Sequence, residues 1–389
     1  MELKSIKLKD CIFEVDTRNT NLEVNNLLGV TINKVFIPSV ANINGTDLSK
    51  YKIVNKNQFV CGLMQVSRDE GVAMALYKND NKAIVSPAYY VFEVFSDIVI
   101  PEYLELIFCS SEFDREATFN AVGGVRGTLT WEDFCNIEIS IPSLDEQKKF
   151  VNRYNTIVNR IDVLERLNEK LHNVANLIFQ NTFEANMDTV ENWELKTVGE
   201  LIDIQNGLAY EAEYLSDCNS DTMLVSMSNA QLNTLFYNNK IKYYKIPVDE
   251  TYMATAGDLF FPTRDLTQAC NILSCPAIIP SIYTRNIIIG TNCYKVINYK
   301  MPKYNKYFLY LLFNSKKYRE HIKGVANGSA ILMIKKEHIL DFSFHLPQED
   351  TIVDSFNKKI EPIFSQLDTN YSEIIYLQRL KKLLTQKLT

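Results

Sequence analysis

Apolar residues follow the same pattern twice along this chain, in two copies about 205 residues apart. In each copy, apolar and polar residues alternate up to a proline, and a polar segment then leads into a long stretch with apolar residues every three or four positions. The ungapped alignment pairs Phe108 with Phe313, Ser110 with Ser315, Phe113 with Tyr318, Gly123 with Gly328, Ile137 with Phe342, Ile139 with Phe344, Ile141 with Leu346 and Pro142 with Pro347. The alternating part predicts a strand and the longer part an amphipathic helix. The chain therefore repeats one plan, a globular segment followed by a long helix.

The two long stretches predict helices of about seven turns, each with one apolar face. The first stripe comprises Ile157, Ile161, Leu164, Leu167, Leu171, Val174 and Ile178, and the second comprises Ile363, Leu367, Tyr371, Ile374, Leu377, Leu380 and Leu384. Such a helix is unstable alone in water and must pack on another surface. Because the stripes share length and phase, we expect an antiparallel, coiled-coil-like pair. The alternative is that each helix packs on its own globular segment.

Several residues refine this prediction for the helix pair. Asn168 and Asn370 lie in or beside the stripes, where they could fix the register or face solvent. Pro362 predicts a break, with a short helix from Glu349 followed by the long helix. The residues predicted to form the seam are Ile161, Leu164, Leu171, Leu367, Ile374 and Leu377.

Each globular segment is predicted to be a mixed domain that contains both strands and helices. In the first, residues 58–66 and 88–95 predict strands, residues 101–117 a helix, and residues 136–142 a closing strand. In the second, residues 221–227 and 258–261 predict strands, residues 303–323 a helix, and residues 341–347 the closing strand. The starts also match, since Glu2-Leu3-Lys4 resembles Glu194-Leu195-Lys196. The predicted class is α+β, with globular domains at 1–143 and 191–347 and helical regions at 144–190 and 348–389.

Charge and composition limit the partners of the chain. Its net charge is −6, and residues 1–143 carry −6 whereas residues 194–346 carry +2. This balance argues mildly against a protein that binds nucleic acid unaided, because phosphate contacts need Lys and Arg. No apolar run approaches the ~20 residues of a membrane helix, and the N-terminus lacks a signal-peptide core, so we expect a cytoplasmic protein without a membrane partner. The eight cysteines are spaced singly, which favours free thiols.

Recognisable catalytic motifs are missing from the sequence. There is no GxGxxG and no P-loop, and the four histidines lack metal-ligand spacing. The segment 123–127 is glycine-rich, but we expect it to be a flexible loop before a strand rather than a phosphate-binding turn. The segment 86–89 lacks the second proline of an amino-methyltransferase motif. We therefore expect no enzymatic activity, no metal and no cofactor in this chain.

The junction between each globular segment and its helix resembles one known family. The sequence IPSLDEQKKF from Ile141 is similar to a hallmark of the specificity subunits of type I restriction–modification systems, as are the helix ends KLHNVANLIFQNTF and LQRLKKLLTQKL. The second junction, LPQEDTIVDSF, departs from it at Glu349-Asp350-Thr351 and has one residue inserted. The resemblance covers the whole chain in architecture and order.

The resemblance implies a division of labour. Each globular segment would be a target-recognition domain that reads one half of an asymmetric, bipartite site in double-stranded DNA. The helices would set the spacing and dock two modification subunits, which carry S-adenosylmethionine, and restriction subunits using ATP and Mg²⁺ could join. Helices of roughly 40 Å suit readers placed about one turn of DNA, ~34 Å, apart. The alternative function is a non-catalytic assembly scaffold whose domains bind proteins or ligands.

Base reading requires side chains that can form paired hydrogen bonds with base edges from exposed loops. The candidates in the first segment are Gln65, Ser67, Arg68, Arg126 and Thr128. Those in the second are Asn229, Gln231, Thr263, Arg264, Gln268, Asn327 and Ser329. Arg68 and Arg264 are the preferred pair, because each follows a strand in a comparable position. For any one of them, a salt bridge or a solvated loop is the alternative.

Overall fold

The computed structural model describes residues 3–39, 45–95, 97–121, 127–186, 192–217, 222–238 and 241–388. The chain forms two compact units. The first unit comprises Met1–Arg160 and Leu377–Thr389, and the second comprises Ile161–Tyr376. Each unit therefore contains one globular segment, the start of the long helix that follows it, and the end of the other long helix.

The secondary structure mixes short strands with helices in both units. The strands are β1 Lys4–Lys7, β2 Ile12–Glu14, β3 Leu28–Val30, β4 Phe36–Pro38, β5 Lys52–Val54, β6 Phe59–Gly62, β7 Ala73–Leu76, β8 Ala83–Val85, β9 Tyr90–Val94, β10 Glu138–Ile141, β11 Trp193–Thr197, β12 Ile202–Asn206, β13 Leu215–Ser216, β14 Thr222–Val225, β15 Lys242–Tyr244, β16 Met253–Ala254, β17 Leu259–Pro262, β18 Arg264–Asp265, β19 Ala277–Ile278, β20 Asn286–Ile289, β21 Cys293–Tyr299, β22 Leu332–Met333 and β23 Ser343–Pro347. The helices are α1 Val66–Asp69, α2 Pro101–Phe108, α3 Ser111–Asn120, α4 Trp131–Asn136, α5 Leu144–Thr182, α6 Val198–Leu201, α7 Lys306–Asn314, α8 Lys316–Val325, α9 Lys336–Leu340 and α10 Asp350–Thr385.

Both units are built on a sheet of the same strand order. In the first unit the antiparallel order is β2-β9-β6-β7, and in the second it is β12-β21-β17-β19. The second sheet has a bulge between Asp203 and Ile204. The second unit adds a larger sheet of order β13-β15-β14-β20-β16, in which β14 and β20 are parallel. The repeat is therefore structural, and the predicted α+β class with tandem mixed domains is confirmed.

The closing strands confirm the predicted register at the end of each domain. β10 pairs with β1 and β23 pairs with β11, both antiparallel. The apolar residues of both predicted closing segments, including one just before each strand, are buried in the cores: Ile137, Ile139, Ile141, Phe342, Phe344 and Leu346. The match predicted between the domain starts is wrong by two residues. Lys4 lies opposite Ile141 whereas Glu194 lies opposite Leu346, so Lys4 corresponds to Glu194 rather than to Lys196.

The helix predicted in each globular segment is two helices, because a buried serine starts a new one. Ser110 Oγ accepts a hydrogen bond from the backbone N–H of Phe113 at 3.2 Å and caps α3. Ser315 Oγ accepts one from the N–H of Tyr318 at 3.3 Å and caps α8. A serine side chain at this position satisfies an N–H that has no partner within the helix. The predicted helices at 101–117 and 303–323 were therefore too long.

The prediction that Pro362 breaks the second long helix is wrong. α10 continues through it, from Asp350 to Thr385. Proline removes one helical hydrogen bond, but Pro362 itself is exposed. Ile360 and Phe364 on either side of it are buried in the core, and we infer that this packing keeps the helix continuous through the proline.

Within the second unit, α5 and α10 share a seam. The ring of Phe179, on α5, lies 6.1 Å from the ring of Phe356, near the start of α10, and the ring of Phe183, just after α5, lies 4.9 Å from it. Further back on α5, Asn168 contacts Asn370, further along α10. Residue numbers rise on one helix as they fall on the other, so the two helices are antiparallel there.

The exposure of the helix residues differs from the predicted stripes. Of the residues predicted to form the seam, Leu164, Leu367 and Ile374 are buried, and Ile161, Leu171 and Leu377 are half-buried. Leu167, Val174 and Leu380, which were assigned to the apolar faces, are exposed. Their places inside are taken by residues such as Ala175, Phe179 and Asn370. In the first unit, Lys381 Nζ lies 5.5 Å from the centre of the Tyr154 ring.

Candidate nucleic-acid interface

A short antiparallel ladder organises the candidate site of the second unit. β18 pairs with β22, placing Arg264 opposite Met333 and Asp265 opposite Leu332. Successive side chains of a strand point to opposite faces. Arg264 and Met333 are exposed on the outer face, whereas Asp265 and Leu332 are buried. Among the described residues, the Arg264 guanidinium has no carboxylate partner, and its donors are available to a ligand.

Asp265 fixes the loop that follows β18. Its carboxylate accepts hydrogen bonds from the backbone N–H of Thr267 at 2.8 Å, the Thr267 hydroxyl at 2.8 Å and the backbone N–H of Ile272 at 2.9 Å. Burial raises the pKa of Asp265, but the hydrogen bonds from Ile272 and Thr267 outweigh it and lower the pKa below its usual value. The loop from Asp265 to Leu273 is therefore held at both ends by one charged side chain.

Arg319, on α8, secures the far end of the same loop. Its guanidinium donates to the carbonyl oxygens of Leu273 at 2.6 Å, Cys270 at 2.7 Å and Asn271 at 3.2 Å. The residue is only 9% exposed. Buried donors without partners are costly, so these three bonds tie Arg319 to one loop conformation. Asp265 and Arg319 were not among the predicted residues, because charge alone does not distinguish a loop anchor from a solvated side chain.

Most of the second unit's predicted DNA-binding residues lie on this ladder and its loops. Thr263 precedes β18, Gln268 Nε2 donates to the carbonyl oxygen of Ser329 at 3.0 Å, and the backbones of Asn327 and Met333 exchange hydrogen bonds of 3.1 and 2.7 Å. Gly328, between Asn327 and Ser329, has φ of 125°, and a Cβ there would collide with the carbonyl oxygen of Ile331. The structure thus brings Thr263, Arg264, Gln268, Asn327 and Ser329 together.

Asn229 and Gln231 lie on a different turn. Asn229 is 1% exposed, its Oδ1 accepts from the N–H of Ser226 at 2.9 Å, and its Nδ2 donates to the carbonyl of Tyr237 at 3.0 Å. This burial contradicts the prediction that Asn229 reads DNA, because its amide is used to shape the turn. Gln231 is exposed.

The first unit has an equivalent site in which a short helix replaces the ladder strand. The N–H of Ser67 donates to the carbonyl of Gly127 at 3.1 Å, and Thr128 Oγ1 donates to the carbonyl of Met64 at 3.2 Å. Arg68 is exposed, and its guanidinium contacts both Gln65 and Asp69. Gln65, Ser67, Arg68 and Thr128 are therefore neighbours. Arg126 lies outside the described residues.

The glycine-rich loop was predicted to precede a strand, and this is wrong. Thr130 Oγ1 accepts from the N–H of Asp133 at 3.0 Å and starts α4. α9 occupies the corresponding place in the second unit.

One backbone hydrogen bond in each unit shows which residues of the two sites occupy equivalent positions. Leu129 N–H donates to the carbonyl of Leu63 at 2.9 Å, and Ile334 N–H donates to that of Thr263 at 3.0 Å. Because Leu129 aligns with Ile334, Leu63 corresponds to Thr263. Arg264 is therefore the counterpart of Met64, and Arg68 that of Gln268. The prediction that Arg68 and Arg264 occupy comparable positions is wrong, and the equivalent sites carry different side chains.

The family motif at the first junction has a clear structural role. Gln147 is fully buried, and its Nε2 donates to the carbonyl oxygens of Ile98 at 2.7 Å and Pro142 at 2.9 Å. Its Oε1 accepts from the N–H of Ile100 at 3.0 Å. This one side chain joins the start of α5 to the closing strand and to the segment before α2.

The second junction makes corresponding bonds with other residues. Tyr304 OH donates to the carbonyl of Pro347 at 3.5 Å, and Asn357 Nδ2 donates to that of Lys303 at 2.9 Å. Pro347 and Lys303 align with Pro142 and Ile98. The departure of the second junction from the family motif is therefore compensated by neighbouring side chains.

No group of three or more His, Cys, Asp or Glu side chains is arranged to hold a metal ion within the described ranges. In that same part of the chain, no helix has the length and apolar character needed to span a membrane.

Comparison with known proteins gives consistent matches. The family model of the type I restriction modification DNA specificity domain matches residues 2–173 and again residues 190–385. The chain is 22% identical over 231 residues to the type I restriction enzyme MjaVIII specificity subunit of Methanocaldococcus jannaschii, covering 55% of this chain but only 52% of that protein. It is 20% identical over 313 residues to the MjaIX specificity subunit of the same organism, covering 75% of this chain and 69% of that protein.

A solved structure shares the fold. The crystal structure of the type I restriction–modification system S subunit from M. genitalium matches with a TM-score of 0.58 and 12% identity, over 100% of this chain and 96% of that one. At this identity the likeness shows the fold alone. The family model matches both halves of the sequence, and the two halves have the same sheet order and the same closing strand pair. The chain therefore belongs to the type I restriction modification DNA specificity family.

Proposed function

We propose that this chain is the sequence-specific DNA-recognition subunit of a type I restriction–modification complex. Each unit would read one half of an asymmetric, bipartite target in double-stranded DNA. This proposal rests on one observation: the two units share a scaffold but present different side chains at equivalent positions. Where the second unit has Arg264 opposite Met333, the equivalent positions of the first unit hold Met64 and Thr128. Similar folds with different outward side chains suit two readers of different sequences.

The exposed polar groups match base readout better than simple phosphate binding. Arg can donate two hydrogen bonds to guanine O6 and N7, and Gln can bind adenine through N6 and N7. Arg264 and Gln268 lie on one ladder and loop in the second unit, and Gln65 and Arg68 lie together in the first. The net charge of −6 gives little general attraction to phosphate, so we infer that partner subunits supply much of it.

Two modification subunits are the proposed protein partners. In the second unit, α5 exposes Val174 and Leu177 on its outer face, and in the first unit, α10 exposes Leu380 and Leu383. Both pairs have a spacing of three, and each lies toward the end of its long helix. Exposed apolar stripes of this kind mark protein interaction sites. We infer that each binds one copy of the same partner, since the two stripes are alike.

The chemistry would belong to those partners. We infer that the chain itself is non-catalytic, that the modification subunits hold S-adenosylmethionine, and that restriction subunits, where they join, use ATP with Mg²⁺. A cytoplasmic location follows from this role, because such a complex acts on the cell's own DNA.

Sequence-selective binding by the reconstituted complex tests this proposal. The complex is offered a pool of duplexes with randomised sequence, and bound molecules are sequenced. Enrichment of two short motifs at a fixed separation is expected, and the same motif should carry methylated bases in the source genome only when this gene is intact. Binding without any sequence preference would instead favour the assembly scaffold.

A further inference from the structure

Three exposed apolar residues lie on or next to the β18–β22 ladder that carries Arg264. Met333 lies directly opposite Arg264. Leu266 immediately follows β18 and Ile331 immediately precedes β22. Continuing the alternation of side chains by one residue would place both on the same face as Arg264 and Met333. Leu266 is 67% exposed, Met333 45% and Ile331 39%. The exposed Arg264 side chain thus has exposed apolar residues as its neighbours along the chain and across the ladder. Leu266 is the most exposed of these apolar residues.

Leu266 lies at the start of a loop that is anchored by hydrogen bonds at several points. Asp265, immediately before it, is held by three hydrogen bonds, and Arg319 ties down the far end of the loop. Gln268 is joined to Ser329 across the loop. A loop ordered before binding loses less conformational entropy when its partner arrives. Exposing a large apolar side chain on such a loop costs solvation free energy, which a binding partner would recover.

The neighbours of Leu266 indicate the chemistry of that partner. Arg264 and Gln268 are of the residue types that bind the base edges of guanine and adenine, and the apolar group that DNA displays in its major groove is the 5-methyl group of thymine. We propose that Leu266 is a specificity-determining residue that packs on a thymine 5-methyl group in the half-site read by the second unit. This inference rests on the proposed function and adds a recognised group to it.

Replacement of thymine by deoxyuridine tests the contact directly, since it removes only the methyl group and keeps base pairing. The reconstituted complex is bound to its selected target and to duplexes in which each thymine is replaced singly. Loss of one buried methyl group should weaken wild-type binding about fourfold at one thymine. Leu266→Ala should bind the thymine duplex about fourfold more weakly and should no longer distinguish the two duplexes at that position.

A matched control is Leu195→Ala, which removes another exposed leucine of the second unit, from strand β11. It should keep the full wild-type sensitivity to the thymine methyl group. Leu266 is exposed, so its variant should fold, and an unchanged melting temperature checks this. The inference is overturned if no thymine matters to the wild type, or if Leu266→Ala keeps the same sensitivity. Equal binding to target and scrambled duplexes would instead overturn the proposed function.

Discussion

Asn370 Nδ2, on α10, donates a hydrogen bond to Asn168 Oδ1, on α5, at 2.7 Å. Asn370 is almost fully buried, and its Oδ1 accepts from Gln366 Nε2 at 2.7 Å. A polar pair inside an apolar seam contributes little net stability, but it fixes which residues face one another. It is therefore the register mark of the helix pair, one of two roles that the sequence left open for these asparagines.

The two members of this pair should be coupled, so that their effects on stability are not additive. Asn168→Ala leaves the buried Asn370 amide without its acceptor, and we expect the free energy of unfolding to fall by about 1–3 kcal/mol. The double variant Asn168→Ala/Asn370→Ala should lose less than the sum of the single losses. Urea denaturation of the wild type, the two single variants and the double variant measures the free energy of unfolding of each. Asn173→Ala, at an exposed position of the same helix, is the control. Strict additivity would show that the two amides are not coupled.

The buried glutamine of the first junction should be sensitive to substitution. Gln147→Ala leaves two carbonyl oxygens and one N–H group without their hydrogen-bond partners. We therefore expect the free energy of unfolding to fall by about 2–4 kcal/mol. Gln348→Ala, an exposed glutamine at the second junction, should change it by less than ~0.5 kcal/mol. Chemical denaturation of each variant gives the comparison. Similar small losses for both would mean that water replaces the Gln147 amide without penalty.

The stability of the second unit should fall in mild acid because of His172. This residue is buried, its ring centre lies 6.0 Å from that of Tyr310, and burial lowers its pKa from 6.5 to about 4. Between those two values the unfolded chain binds the proton more readily than the folded chain. The free energy of unfolding should therefore decrease as pH falls from 6.5 toward 4, by roughly 3 kcal/mol at most.

His172→Phe keeps an aromatic ring at this position and removes the titration. Melting temperatures of the wild type and the variant, measured from pH 7.5 to pH 4, should diverge below pH 6.5, with the wild type losing more. Parallel curves over that whole range would show that His172 does not become protonated at a cost to folding.

Arg264 and Arg68 should affect different half-sites. Arg264→Ala should weaken binding of the complex by ~1–3 kcal/mol and relax selectivity in one half-site, because a bidentate base contact is lost. Arg68→Ala should act on the other half-site. Arg166→Ala, which removes an exposed arginine of α5 paired with Asp162, is the control. Titrations with duplexes altered in one half-site at a time make the comparison, and a uniform loss across all sequences would reassign Arg264 to phosphate binding.

The exposed stripes of the long helices should govern how many modification subunits bind. Leu177→Glu places a charge in one apolar interface and Leu383→Glu in the other, so each variant should retain one modification subunit and the double variant should retain none. Mass measurement of purified complexes reads the stoichiometry. Leu22→Glu, at an exposed leucine elsewhere in the first unit, should leave two bound. Two subunits on the double variant would place docking on another surface.

The sequence predicted the repeat well because the apolar positions of the closing strands are strictly alternating. Ile137, Ile139 and Ile141 all face the core, as do their counterparts. Details governed by one polar atom were less predictable. Ser110 and Ser315 interrupt helices whose apolar spacing continues across the break, and Pro362 is tolerated at an exposed position between buried residues of α10.

The sequence predicted which loops form the candidate site, but not which residues of the two units occupy equivalent positions. The loops after β6 and β17 and the loops around residues 128 and 329 do come together within their units. Arg68 and Arg264 nevertheless differ in position, because the first unit turns into α1 where the second extends into β18. The anchors Asp265 and Arg319 could not be distinguished from other charged residues, since their roles depend on burial.

The closing strand pairs have an evolutionary consequence. In each globular segment, the first strand runs antiparallel to the last, so the chain enters and leaves at adjacent points, with Lys4 beside Ile141 and Glu194 beside Leu346. A segment with neighbouring ends can be replaced without moving what lies outside it. Under the proposed function, recombination that exchanges one globular segment between related genes would change the half-site that is read and leave the two long helices as they are.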